Sequence, residues 1–87
     1  MYSFSTALEL IKKGSKVRRS GWNGKGMFVF LVGGSTFVTN REPLISVLGE
    51  GVTVNYHAHI DMYTADKKVV PWLASQTDIL AEDWETV

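Results

Sequence analysis

Two histidines and an aspartate recur at every second position of one predicted strand, and their side chains are of types that bind metals. His57, His59 and Asp61 would share one face, because side chains alternate along a strand. Two imidazoles and a carboxylate are ligands of open Zn²⁺ or Fe²⁺ sites, which would permit hydrolysis. Any solvated strand face can hold such residues. We therefore expect these three to form a polar sheet face or a contact between subunits, and we expect no metal site.

Covalent catalysis has little support in the sequence. The chain has no cysteine, and therefore no thiolate nucleophile and no disulfide. It contains no Gly-x-Ser-x-Gly elbow and no P-loop. Gly21, Gly24 and Gly26 lack the Rossmann spacing, and we interpret them as a turn that presents Trp22 and Asn23. We predict no catalytic residue and no cofactor.

Three tryptophans in 87 residues are the most informative side chains. Tryptophan buries a large area, so a place in the core is the default expectation, and we expect it for Trp84. Trp22 lies among glycines in a flexible, polar loop, and such loops rarely contribute a side chain to the core. We therefore expect Trp22 to be exposed and functional. For Trp72, which follows Pro71, both interpretations stay open.

Exposed aromatic rings stack on nucleobases, and each such stack is worth about 1–3 kcal/mol. Short polar side chains suited to ribose hydroxyls and base edges accompany the tryptophans: Asn23, Asn40, Ser75, Gln76 and Asp83. Arg41 or Lys25 would meet phosphate, the arginine with bidentate geometry. Together these residues are typical of a nucleotide pocket, although no single one is specific.

The elements that would position these residues form an α+β fold, a mostly antiparallel sheet with an N-terminal helix on one face. The helix has an apolar stripe at Phe4, Ala7, Leu8 and Ile11, a start capped by Ser5 or Thr6, and Gly14 beyond its end. Strands are predicted at 16–19, 27–32, 36–39, 52–63, 68–70 and 84–87. A glycine pair at 33–34 permits a hairpin, Pro43 begins a helical turn through residue 48, and Ser75 caps a brief helix with Asp78 in its first turn.

Length and composition indicate one domain, residues 1–87, that is stabilised by self-association. A chain this short buries only about 60% of its unfolded surface, and without disulfides a monomer is marginally stable. The content of 45% hydrophobic and 11% aromatic residues is rich enough for a homo-oligomer. The formal net charge of zero argues against a protein that binds duplex DNA or RNA.

Charge is unevenly distributed along the chain. A stretch without acidic residues contains Lys12, Lys13, Lys16, Arg18, Arg19 and Lys25, and an acidic group at the C-terminus contains Asp78, Glu82, Asp83 and Glu85. The two groups would attract each other, within one chain or between subunits, or the basic stretch would hold a small anion. No targeting segment precedes the helix and the longest apolar run, 27–32, cannot span a bilayer, so we expect no membrane partner and a location in the host cytoplasm.

Four segments together resemble one family. They are Arg18-Arg19-Ser20-Gly21-Trp22-Asn23-Gly24-Lys25-Gly26-Met27, Asn40-Arg41-Glu42-Pro43-Leu44, Val70-Pro71-Trp72-Leu73-Ala74-Ser75-Gln76-Thr77-Asp78 and Ala81-Glu82-Asp83-Trp84. They are similar to the second type of phage Thoeris anti-defence protein, and the resemblance covers essentially the whole chain in order.

The resemblance implies a sponge for an immune signal. Such proteins are homotetramers that bind, between subunits, the cyclic ADP-ribose isomer made by bacterial TIR-domain enzymes, and they do not cleave it; some members also bind cyclic dinucleotides. By match to the motifs, Trp22 and Trp72 would lie against the adenine and Arg41 or Lys25 would face the pyrophosphate. The remaining matched residues, which would bond to ribose or base edges, are Asn23, Ser75, Gln76 and Asp83.

Two other functions stay open. A metal-dependent hydrolase would use His57, His59 and Asp61 to degrade the same signal. A protein-interaction module would inhibit a host enzyme through its aromatic surface.

Overall fold

A computed structural model describes residues 1–87 and shows the predicted α+β fold, with three helices and seven strands. None of the helices has the length and apolar character needed to cross a membrane. In chain order the elements are α1 (Phe4–Lys12), β1 (Val17–Arg19), β2 (Phe28–Val32), β3 (Ser35–Val38), α2 (Leu44–Leu48), β4 (Thr53–Tyr56), β5 (His59–Tyr63), β6 (Val69–Pro71), α3 (Gln76–Leu80) and β7 (Trp84–Thr86).

The main sheet has five antiparallel strands in the order β6-β5-β2-β1-β7. β2 is the central strand, as its apolar sequence predicts. Val29 is in register with Val17 on one side and with Met62 on the other, so the three side chains form a row on one face. This row packs against α1 and forms the floor of the core.

Helix α1 covers that row with Ala7 and Ile11, both of which are fully buried. Its N-cap is Ser3, whose hydroxyl accepts a hydrogen bond from the Thr6 backbone, so the prediction of Ser5 or Thr6 as the cap is wrong. The chain leaves the helix through Gly14 at φ +96°, a conformation that favours glycine and fits the predicted end.

The core is small. Only six residues are buried, and among them Trp84 is completely enclosed, as predicted for this tryptophan. Such a core is close to the lower limit for an independent domain, because the hydrophobic stabilisation grows with the apolar area removed from water.

The predicted strand 52–63 is wrong, because it is two strands in two sheets. β4 pairs with β3 in a separate two-stranded sheet, whereas β5 pairs with β2, so the predicted hairpin from 27–32 into 36–39 is wrong as well. A Cβ at Gly34 would lie 2.6 Å from the backbone oxygen of Tyr56, so glycine is needed where the two connections between the sheets cross. An alternating pattern that continues through such a crossing does not reveal it.

The second sheet and α2 form an arm, residues 35–56. Inside the arm only Thr39 is buried, and its hydroxyl donates to the Gly49 carbonyl oxygen at 2.6 Å and accepts from the Val52 amide at 2.9 Å. Helix α2 buries no residue, and Val47 is 72% exposed. The molecule measures 47 × 26 × 21 Å, an elongated shape that agrees with an arm standing off from the main sheet.

Candidate functional site

Four aromatic rings form a cluster that begins in the core and extends to the surface. Trp84 lies at its centre, with ring centroids 5.4 Å from Phe4, 5.3 Å from Trp22 and 6.0 Å from Trp72. Trp22 and Trp72 meet edge to face, 6.4 Å apart and inclined at 67°. No base fits between two rings in this arrangement within one chain, so a ligand base would contact an outer face of either ring.

Trp22 is half-buried, and the expectation that it lies free of the core is wrong in part. The indole packs on Trp84 with the two ring planes inclined at 79°, and its Nε1–H donates to Asp78 Oδ1 at 3.2 Å. The same residue also lines a surface cavity of about 290 Å³. The glycine loop therefore folds back onto the core and still presents Trp22 to a cavity.

Arg19 joins the two carboxylates that hold this loop. Its Nη1 donates to Asp78 Oδ1 at 3.0 Å, and its Nε donates to Asp83 Oδ1 at 2.8 Å. All three side chains are mostly removed from solvent, with 17%, 14% and 25% exposure for Arg19, Asp78 and Asp83. The predicted attraction between the basic stretch and the acidic C-terminus is thus satisfied within one chain, and Arg18 adds a third pair, with Glu85 at 3.0 Å.

The ion pairs change the proton affinities of the groups that form them. Burial alone would raise the pKa of Asp78, but hydrogen bonds from Arg19, Trp22 and Ser75 outweigh it, and the pKa lies below its ordinary value. The Arg19 hydrogen bond lowers the pKa of the Asp83 carboxyl. The same two carboxylates raise the pKa of Arg19. All three groups are therefore charged near neutral pH.

The predicted loop residues Asn23 and Lys25 are exposed and line the cavity together with Trp22. The loop is fixed at its start, where the Gly21 amide donates to Asp83 Oδ2 at 2.9 Å. A Cβ at Gly21 would lie 2.8 Å from that oxygen, so a larger residue there would displace the Asp83 carboxylate. Asp83, predicted as a ligand contact, is thus already bonded to the loop and to Arg19.

Ser75 and Gln76, also predicted site residues, begin α3 and are exposed. Ser75 is the N-cap as predicted: its hydroxyl accepts from the Asp78 amide at 3.1 Å, and Asp78 Oδ2 accepts from the Ser75 amide at 3.3 Å. This capping box fixes the position of the Asp78 carboxylate. Both residues follow Trp72, but neither lines the cavity beside Trp22.

Arg41 lies elsewhere. It lines a larger cavity of about 510 Å³ in the arm, together with Phe37 and Asn40, and this cavity shares no residue with the one beside Trp22. One chain therefore does not bring all the predicted residues into a single pocket.

The metal-binding arrangement considered for the histidines is not present. His57 lies between β4 and β5, outside either strand, whereas His59 and Asp61 share a face of β5 with His59 Nε2 3.5 Å from Asp61 Oδ2. No three side chains of His, Cys, Asp or Glu are grouped so that they could hold an ion. The prediction of one face for all three residues is wrong because the chain changes sheets at residues 57–58.

Sequence reasoning missed Arg19 and Asp78 as parts of the site. Both residues lie within the motif segments, and both belong to the oppositely charged groups recognised along the chain. The charge complementarity between those two groups is the sequence signal that could have identified them. An arginine beside a tryptophan-containing loop can pair with an acidic residue in the first turn of a helix. The pattern itself does not specify which acid pairs with which base.

Comparison with known proteins gives two concordant results. Residues 2–87 match the model of the Tad2-like family, described as the Thoeris anti-defense 2-like domain. The chain is also 43% identical, over 88 aligned positions, to the protein named Thoeris anti-defense 2 of Bacillus phage SP01, covering 98% of this chain and 93% of that protein. By both results, the chain belongs to the Thoeris anti-defense 2-like family.

Proposed function

We propose that this protein binds and sequesters a cyclic ADP-ribose isomer without cleaving it, and thereby withholds the signal from the bacterial immune effector. The family itself indicates a phage anti-defence role. The observation that supports a nucleotide ligand is the cavity beside Trp22, where an indole, an amide and a free cation meet at one loop.

The residues at that loop have the chemistry that a nucleotide requires. The outer face of Trp22 or Trp72 stacks on the adenine. Asn23 offers both donor and acceptor atoms to a ribose or a base edge, and Lys25, which forms no salt bridge in the chain, offers its ammonium group to the pyrophosphate. Ser75 and Gln76 are exposed outside that cavity, and they would bond to a ribose or base edge that lies on Trp72, which precedes them in the chain. Asp83, whose oxygens already accept from Arg19 and Gly21, contributes by holding the loop.

Arg41 enters this proposal through a second copy of the chain. Since it lies in the arm, away from the cavity beside Trp22, one chain alone does not place it near a ligand there. We propose a homotetramer in which the ligand lies between subunits. The arm supports this self-association because Val38, Val47 and Tyr56 are each more than half exposed and a two-stranded sheet is barely stable unless it packs against something.

Sequestration requires affinity without turnover. A nanomolar dissociation constant corresponds to about −12 kcal/mol. One or two stacks and several charge-assisted hydrogen bonds reach that order if the pocket is preformed and closed by a neighbouring subunit. The titrating carboxylates Asp78 and Asp83 are fixed as anions by Arg19, and neither has the raised pKa of a general acid.

The experiment is to incubate the purified protein with the cyclic ADP-ribose isomer, remove free nucleotide, denature the protein by heat and analyse the supernatant by chromatography. The proposal predicts release of the unchanged nucleotide in amounts stoichiometric with binding sites. Release of a hydrolysed product would refute sequestration and favour a hydrolase. No retained nucleotide would refute the proposal, and the same assay with cyclic dinucleotides determines whether that second class is also bound.

A further inference from the structure

The Asp78 carboxylate is surrounded by donors of the protein itself. Oδ1 accepts from Arg19 Nη1 at 3.0 Å and from Trp22 Nε1 at 3.2 Å, and Oδ2 accepts from the Ser75 amide at 3.3 Å. The side chain is only 14% exposed. With both oxygens engaged, this carboxylate has little capacity to bond to a ligand, so any effect on binding has to act through the residues that it holds.

The Trp22 ring needs such a support because its backbone does not provide one. The loop of residues 20–26 contains three glycines, which restrict the backbone least. The contacts with Trp84 and Trp72, with ring centroids 5.3 Å and 6.4 Å away, restrict the ring by packing alone. The hydrogen bond from Nε1 to Asp78 adds a directional contact to this packing, and it thereby fixes the orientation of the ring.

A second support acts on the backbone of the same loop. Asp83 accepts from the Gly21 amide at 2.9 Å and from Arg19 Nε at 2.8 Å. Arg19 connects this anchor with Asp78, so the ring and the start of the loop are held by one continuous set of hydrogen bonds. Asn23 and Lys25 lie beyond the anchored part and stay exposed to the cavity.

We propose that Asp78 is a positioning residue for ligand binding, which orients the Trp22 indole through its Nε1–H so that the outer ring face is ready for a base. This inference rests on the proposed nucleotide-binding function. A ring that is fixed before the ligand arrives loses less conformational freedom on binding, so the ligand binds more tightly. The capping box of α3 contributes to this positioning, because its hydrogen bonds with Ser75 fix the Asp78 side chain.

The test combines Asp78→Asn with Trp22→Phe in a double-mutant cycle. Asparagine keeps the shape of the side chain, but it removes the charge that faces Arg19 and turns one acceptor into a donor. We expect Asp78→Asn to raise the Kd for the cyclic ADP-ribose isomer about tenfold, the effect of one charge-assisted hydrogen bond. In the Trp22→Phe background the same change should raise Kd less than about twofold, because the indole N–H is already absent.

A ligand-free measurement separates this inference from the proposed function. In ¹H–¹⁵N spectra of the indole groups, the Trp22 signal is the one that Trp22→Phe removes. We expect it to shift or broaden in Asp78→Asn, whereas the signal of Trp84, whose Nε1 donates to the Asp78 backbone oxygen at 3.0 Å, stays near its position. Glu9→Gln, which removes an exposed carboxylate of α1, is the control and should change neither spectrum nor Kd.

Each outcome either supports the positioning role or overturns it. Equal effects of Asp78→Asn on Kd in both backgrounds, no effect on Kd, or an unmoved Trp22 signal would each overturn it. If the wild-type protein binds no nucleotide, the proposed function fails, and the spectra still decide whether Asp78 orients the ring. Should Asp78→Asn not fold, Asp78→Glu keeps the charge but displaces the acceptor by one methylene, and it is expected to give the same shift and a raised Kd.

Discussion

Replacement of Trp22 by alanine separates the packing that the structure shows for this ring from the base stacking that we propose for it. The indole is half-buried against Trp84, so the substitution removes part of the packing energy of the aromatic cluster. A fully buried Trp→Ala change costs about 3–5 kcal/mol, and about 3 kcal/mol is expected for this ring because most of the residue is removed from water. A domain of this size has about 5–10 kcal/mol in total, so the variant is expected to fold.

The same substitution is also expected to weaken ligand binding, and this loss of affinity is measured separately from the loss of stability. Loss of one base–aromatic stack costs about 1–3 kcal/mol, which raises Kd roughly 5- to 150-fold. Isothermal titration calorimetry with the cyclic ADP-ribose isomer measures this change, and urea denaturation measures the stability. Trp22→Phe retains a ring and should lose less affinity than Trp22→Ala.

The control for stability is Leu10→Ala, which also removes half-buried apolar packing against the core but no aromatic ring. It is expected to lower the free energy of unfolding by a similar amount and to leave Kd unchanged. If Trp22→Ala is folded and binds with a Kd within about twofold of the wild type, the stacking role of Trp22 is wrong.

Three further predictions concern the crossing, the ion pairs and the loop cation. Gly34→Ala is expected to lower the melting temperature, because its Cβ would lie 2.6 Å from a backbone oxygen. The control Gly33→Ala, with nothing within 4 Å of its Cβ, should keep the wild-type melting temperature. Equal melting temperatures of the two variants would contradict the crossing. Because the pKa of Asp78 is lowered in the folded state, its contribution to stability is complete above the ordinary value of 3.8 and is lost as pH falls through the lower folded-state pKa. Urea midpoints between about pH 5 and pH 2 should therefore fall less steeply for Asp78→Asn than for the wild type, and parallel curves would refute this. Lys25→Ala should raise Kd and weaken its dependence on salt, whereas Lys13→Ala, at the exposed end of α1, should change neither; titration at two salt concentrations decides.

Much of the fold could be predicted because its local signals are strong. The stripe of α1, the apolar central strand β2 and the N-cap at Ser75 each follow from spacing and residue type alone. The separation of β4 from β5 could not be predicted, since the alternation of side chains continues through residues 57–58 while the strand leaves one sheet for another. The only local sign of the crossing is Gly34, and glycine is common in turns of every kind.

The candidate site could be predicted from the sequence only where its residues are neighbours in the chain. Trp22, Asn23 and Lys25 do meet at one cavity, because seven consecutive residues of one loop hold all three. That Trp22 would be half-buried was not evident, since its packing depends on Asp78, which lies 56 positions later in the chain. The position of Arg41 in the arm has the same cause, because tertiary placement across two sheets is not encoded in residue spacing.

Native mass spectrometry of the purified protein, with and without the cyclic ADP-ribose isomer, tests sequestration most directly. The proposal predicts an assembly of four copies of the 9.7 kDa chain that gains the intact mass of the nucleotide and releases it unchanged on denaturation. A monomer that gains no mass, or a nucleotide recovered in hydrolysed form, would contradict it.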